Sequence, residues 1–157
     1  TAVMLAREDF DLRGDVRSDC ASVLGLCEAA WALDGLRFLR DPTRGGLATV
    51  ANEIAQATGQ GIRLFEPRIP LHSATTSVCE MLGFDPYYLA CEGRVVAVAG
   101  PEDAGRLLEA WRALPEGAQA AEIGQIEERA PRVVLETEIG GERLLDELED
   151  DPLPRIC

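Results

Sequence analysis

LRFLRDPTRGGLATVANEIAQATG, residues 36–59, reads as a strand, a glycine turn and a helix in succession. The apolar run 36–39 lies between Asp34-Gly35 and Asp41-Pro42, punctuation that predicts a short strand. Beyond the turn, Leu47, Val50, Ile54 and Ala57 recur at helical spacing, which predicts a helix over 47–58 with Gly59 as its stop. Two glycines at a helix entry let backbone N–H groups come close to an anion, and the helix dipole favours negative charge there. Arg44 can add a charge-assisted contact, and Asp41 can cap the turn or hold a cation. The turn is not a Walker A loop, which needs a Gly-Lys-Ser/Thr ending.

Working outward, a short helix is expected over 3–9, then a polar loop. Ser18 or Asp19 is expected to cap a second helix carrying the stripe Cys20, Leu24, Cys27, Trp31. A strand over 62–65 is closed by two prolines, and Ser73 caps a helix reaching Leu82. Segments 87–91 and 94–99 flank Glu92-Gly93 and predict a tight β-hairpin. Pro101 opens a helix with Ala104, Leu107, Leu108 and Trp111 on one face. Strands are expected over 121–126 and 132–137, then a Gly140-Gly141 turn and a last short element over 144–148. Helices and strands mix about equally, so the fold class is α/β or α+β, a mixed sheet covered by helices.

The chain has 157 residues and 46% hydrophobic composition, enough for one substantial core. Its formal charge is −13, and all 15 basic residues are arginine. Nucleic acid and anionic membranes need clustered positive charge, so neither is an expected partner. Lysine chemistry is excluded within the segment. No apolar run approaches the roughly 20 residues that span a bilayer. Five irregularly spaced cysteines argue against a disulfide framework and for a reducing cytoplasm. One histidine, His72, and no Cys-x-x-Cys leave no basis for a zinc site.

Two further positions carry chemistry. Glu92, beside Gly93 at the expected hairpin tip, becomes a general-base candidate if that tip faces a pocket. Cys157 is the last residue, on a run 150–156 in which Pro152 and Pro154 favour extended geometry. Roughly eight residues of extended chain reach at most about 27 Å, so this thiol can enter a neighbouring protein's site and then its own.

The strings D-P-T-R-G-G-L-A-T-V from Asp41, Y-L-A-C-E-G from Tyr88 and the terminal P-R-I-C from Pro154 resemble the HypE family of hydrogenase maturation proteins. That family lies in the superfamily of aminoimidazole ribonucleotide synthetase and selenophosphate synthetase. The resemblance covers essentially the whole chain, with one departure: Cys91 stands where the family carries Asn. It implies a C-terminal domain of the aminoimidazole ribonucleotide synthetase type over 1–149, a flexible tail over 150–157, and an N-terminal ATP-binding domain absent from this chain. It also implies a carbamoyl dehydratase. The terminal cysteine is carbamoylated by a partner, HypF, and the thiocarboxamide is dehydrated with ATP to a thiocyanate. The cyano group then passes to the iron of [NiFe]-hydrogenase on a HypC–HypD scaffold.

By this match Cys157 is the carrier nucleophile and Glu92 the base. Asp41, Arg44, Gly45 and Gly46 are candidate nucleotide, phosphate or pocket contacts. ATP and Mg are expected mostly on the missing domain, the full-length protein is expected to be a cytoplasmic homodimer, and the segment alone is expected to be inactive. Two alternatives stay open: a non-catalytic docking domain for maturation partners, and a related ATP-dependent synthetase.

Overall fold

The computed structural model describes residues 18–148; the expected helix over 3–9, the tail and Cys157 lie outside the described residues. Among the described residues there are four helices, α1 Leu24–Trp31, α2 Gly46–Thr58, α3 Ser73–Leu82 and α4 Pro101–Arg112, and six strands. The strands are β1 Leu36–Arg40, β2 Gly61–Phe65, β3 Val96–Ala99, β4 Gly124–Glu127, β5 Val133–Glu136 and β6 Glu142–Leu144. They form two sheets, an antiparallel β1–β3 ribbon and a four-stranded mixed sheet in the order β4-β2-β5-β6. In the larger sheet β2 runs parallel to β5, while β4 and β6 pair antiparallel at the two edges. The expected mixed α/β architecture is what forms.

Helix α2 covers the larger sheet. Ala48, Val50, Ala51, Ile54 and Ala55 pack on Ile62, Leu64, Val133 and Leu135 in one buried cluster. Val50 and Ile54 of the expected stripe are buried, while Leu47 is half-buried and Ala57 exposed; the buried face also takes in Ala48, Ala51 and Ala55, small residues that let the helix approach closely. A second cluster joins Leu26 and Ala30 of α1 to Leu107 and Trp111 of α4. The Trp111 indole N–H donates to the Leu26 carbonyl at 2.8 Å and ties these helices together.

The β1–β3 ribbon is packed on both sides. Phe38, Val96 and Val98 meet the α2 cluster, while Leu36, Leu39, Ala97 and Ala99 meet α1 and α4. Residues 36 and 38 share a face in a regular strand, but the register shifts between them. That irregularity moves Leu36 to the side of Leu39.

Several expectations are corrected. Helix α1 begins at Leu24 with no side-chain cap, because the Ser18 and Ser22 hydroxyls accept from the Cys20 and Leu24 N–H groups and hold 18–23 out of the helix. Its inward residues are Leu26 and Ala30; Leu24 and Trp31 of the expected stripe are 57% and 64% exposed. Ser73 is the first residue of α3 and not its cap, which is His72. The expected 87–99 hairpin does not form. Pro86–Tyr88 is a 3-10 turn, started by Pro86 and by the Asp85 carboxylate accepting from the Tyr87 N–H. Strand β3 pairs with β1 instead. The last strand is β6, earlier than expected, and hairpins with β5 through the Gly140 turn.

Arg63 stands on the face of β2 away from α2. It bonds Glu127 at 3.0 Å, Glu142 at 2.6 Å and Glu136 at 3.4 Å, tying all four strands. The Glu127 carboxyl is held below the ordinary carboxylate range, first by the hydrogen bond from Gln125 and then by Arg63. A depressed carboxyl contributes stability above its unfolded-state pKa and loses that contribution as pH falls through the folded value. Urea titrations from pH 6 downward therefore show the unfolding midpoint falling as pH drops below about 4. Glu127→Gln flattens that acid limb, and an unchanged limb in this variant removes Glu127 from the account.

Candidate functional site

Turn 41–46 and segment 87–93 lie in contact, although forty residues of chain intervene. Gly45 and Gly46 have φ of +66° and +61°, the left-handed region that side chains enter at a cost. The space a Cβ would need at Gly46 is filled by the Tyr87 and Leu89 carbonyl oxygens, 2.6 Å from it. At Gly45 it is filled by the Thr49 side chain, with Leu148 alongside. The Cys91 N–H donates to the Pro42 carbonyl at 2.9 Å. The glycines thus let two loops close on each other at the N-terminus of α2.

Asp41, Arg44 and Glu92 are exposed around this closure, whereas Gly45 and Gly46 are buried. Arg44 has no ion pair among the described residues, and it sits beside the positive end of the 13-residue helix α2. That combination fits a phosphoryl group of a nucleotide. Among the described residues no group of three or more His, Cys, Asp or Glu is placed to hold a metal ion.

Cys91, where Asn was expected, is half-buried, and its thiol donates to the Leu89 carbonyl at 3.4 Å. Burial first, then the nearby Asp19 charge, pushes this thiol's pKa up, with Arg94 opposing. It is a protonated structural thiol at neutral pH, lacking the paired donor and acceptor of an amide.

Glu92 is not at a hairpin tip. Its carboxyl projects from a bend that residues 18–21 cross: the Glu92 N–H donates to the Asp19 carboxylate at 3.3 Å. Asp19 entered the sequence reading only as a helix cap. No local pattern marks its contact, because the partner lies 73 residues away.

Past β6, residues 145–148 form a strap back across α2. Leu145 is 1% exposed, and its carbonyl accepts from Asn52 at 2.8 Å. The Tyr88 hydroxyl donates to the Asp146 carbonyl at 2.8 Å, and Gln56 donates to Glu147 at 3.0 Å. Leu148 then lies against Gly45. The chain that ends in Cys157 thus leaves the described residues beside turn 41–46, with nine residues to run.

Comparison with known proteins gives concordant results. The family model described as AIR synthase related protein, C-terminal domain, matches residues 2–136. Carbamoyl dehydratase HypE of Azotobacter vinelandii is 43% identical over 157 residues, covering 99% of this chain and 46% of the relative. The Rhodobacter capsulatus protein of the same name is 44% identical over the same share. The chain spans about half the length of the relatives it matches. Among solved structures, the hydrogenase maturation protein HypE superposes with a TM-score of 0.92 at 39% identity, over 99% of this chain and 51% of that one. A HypE–HypF complex gives 0.88 at 36%, over 93% and 48%. HypE in complex with ATP gives 0.87 at 38%, over 96% and 47%.

Proposed function

The chain belongs to the family of AIR synthase related proteins, as their C-terminal domain, and from that premise we propose that it is the carrier-and-pocket half of a carbamoyl dehydratase. The observation that carries this reading is the strap, which brings residues 145–148 alongside turn 41–46 and Tyr88, nine residues before Cys157. The part of the relatives' length that this chain does not cover would hold most of the ATP and its magnesium, and the 157-residue segment would be inactive alone.

In the proposed reaction Cys157 carries a carbamoyl group as a thiocarboxamide, S–C(=O)–NH2, loaded by a HypF-type carbamoyltransferase. An amide oxygen is a poor leaving group. Transfer of the γ-phosphoryl group of ATP, a substrate here, to that oxygen releases ADP and one nitrogen proton to solvent, and leaves the imidate phosphate S–C(=NH)–OPO3. Glu92 takes a proton from nitrogen as the C–O bond breaks, phosphate leaves, and S–C≡N remains. Arg44, at the positive end of α2, offsets charge on the transferred phosphoryl group. Asp41, exposed beside Arg44, is a further candidate contact, and Gly45 and Gly46 keep the two loops closed. The thiocyanate supplies the cyanide ligands of the [NiFe]-hydrogenase iron through a HypC–HypD acceptor, in a cytoplasmic homodimer of the full-length protein. Support comes from the HypE relatives, from one solved with HypF and from one solved with ATP.

The test is intact-mass spectrometry of the full-length protein after incubation with carbamoyl phosphate, ATP and the carbamoyltransferase. Wild type shows a carbamoyl adduct that converts to thiocyanate. Glu92→Gln loads normally, but its conversion falls at least about 100-fold, the scale of a lost general base. Normal conversion in this variant takes Glu92 out of the role.

A non-catalytic docking role is the second reading, favoured by Leu24 and Trp31, both exposed and seven apart on one face of α1. If the full-length protein neither binds nucleotide nor converts its adduct, docking is the better account.

A further inference from the structure

We propose that Asp19 is the positioning residue for Glu92, an inference that rests on Glu92 being the base of the dehydration. Glu92 and Gly93 form an exposed bend, and glycine gives that bend wide backbone freedom. Two contacts from residues 18–21 remove the freedom. The Asp19 carboxylate accepts the Glu92 backbone N–H at 3.3 Å. The Asp19 carbonyl lies so close to the Gly93 Cα that a side chain at 93 would overlap it, and the Ala21 nitrogen is 3.0 Å from the same point. The crossing segment is itself fixed, because the Ser18 hydroxyl accepts from the Cys20 N–H at 3.3 Å. On the other side, the Cys91 N–H is held by Pro42 at 2.9 Å.

The peptide carrying Glu92 is therefore clamped from both sides: Pro42 sets its distance from turn 41–46, and Asp19 sets its rotation. A base removes a proton efficiently only from hydrogen-bond distance, and displacements near 1 Å cost about 100-fold in rate. Asp19 acts through the backbone of its neighbour and needs no contact with the reacting atoms. What matters is its acceptor oxygen, not its charge. An asparagine amide offers an equivalent acceptor.

The experiment uses the full-length protein and follows loading and conversion of the Cys157 adduct separately, with ATP as the varied substrate. Asp19→Ala is expected to load at the wild-type rate, to keep its KM for ATP, and to convert about tenfold more slowly. Asp19→Asn is expected to convert within threefold of wild type. Wild-type conversion by Asp19→Ala overturns the proposal. So does conversion by Asp19→Asn more than threefold below wild type, whether or not the alanine variant folds, because charge and not the acceptor is then what matters. Glu92→Gln, measured in parallel, separates the two levels. If it converts normally, the base reading fails and takes this proposal with it. If it does not, while Asp19→Ala does, the proposal alone falls.

Discussion

Cys157→Ala is expected to show no carbamoyl adduct convertible to thiocyanate, and to leave hydrogenase maturation at background. Intact-mass spectrometry and a hydrogenase activity assay read the two outcomes. The argument is one of elimination among thiols. Cys79 is 2% exposed, and burial raises its pKa. Cys91 is half-buried and also raised, and Cys27 is half-buried in α1. Inert thiols of this kind are poor nucleophiles, since the thiolate is the reacting form. Cys20 is the one fully exposed thiol among the described residues. It sits on the anchored segment 18–21 and cannot travel to a partner's site. A Cys20→Ala variant should therefore load and convert as wild type does. A wild-type adduct on Cys157→Ala would sink the carrier assignment.

Gly46→Ala is the second large expectation, this time in stability. The left-handed backbone at φ +61° costs an alanine about 1–2 kcal/mol. Its Cβ would also meet two backbone carbonyls at 2.6 Å, and backbone cannot swing aside as a side-chain end can. Overpacking of this kind adds about 1–3 kcal/mol, a large share of the roughly 5–15 kcal/mol that holds a domain folded. At about 2–4 °C per kcal/mol for a chain this size, thermal unfolding should drop by around 10 °C. Gly59→Ala is the control. It has φ +69°, but nothing lies within 4 Å of the added methyl, so only the backbone cost of about 1–2 kcal/mol remains. Equal losses at the two positions would show that the closure of the 41–46 and 87–91 loops does not depend on Gly46.

The elements legible in the sequence were those specified by their own residues. Helix α2 has glycines at both ends and an apolar face between them, and its bounds came out within one residue. Helix α4 begins at Pro101, where the proline was expected to open it. The errors lie where distant partners decide. Segment 87–91 has a strand-like composition, yet its backbone groups go to Pro42 and into a proline-started turn. The partner of β3 is β1, which lies before two helices and a strand in the chain. Helix α1 was misread because serine hydroxyls compete locally for the N–H groups of its expected first turn. Around the candidate site, turn 41–46 and Glu92 were visible as motifs. That turn 41–46 touches the segment 87–91 leading into Glu92 was not, because the contact is made by backbone groups, which sequence does not encode individually. Asp19 was invisible as a partner of Glu92 because its carboxylate accepts a backbone N–H 73 residues away.

The strap has a kinetic meaning. Because Asn52 and Tyr88 pin residues 145 and 146, the tether to Cys157 is counted from Leu148 and not from the end of β6. Nine further residues of extended chain reach at most about 30 Å, which bounds how far from turn 41–46 the terminal thiol can act. A short tether of this kind sustains millimolar effective concentration at its target. In the proposed dehydration each molecule would then serve its own tail first, making that step first order in enzyme at any dilution.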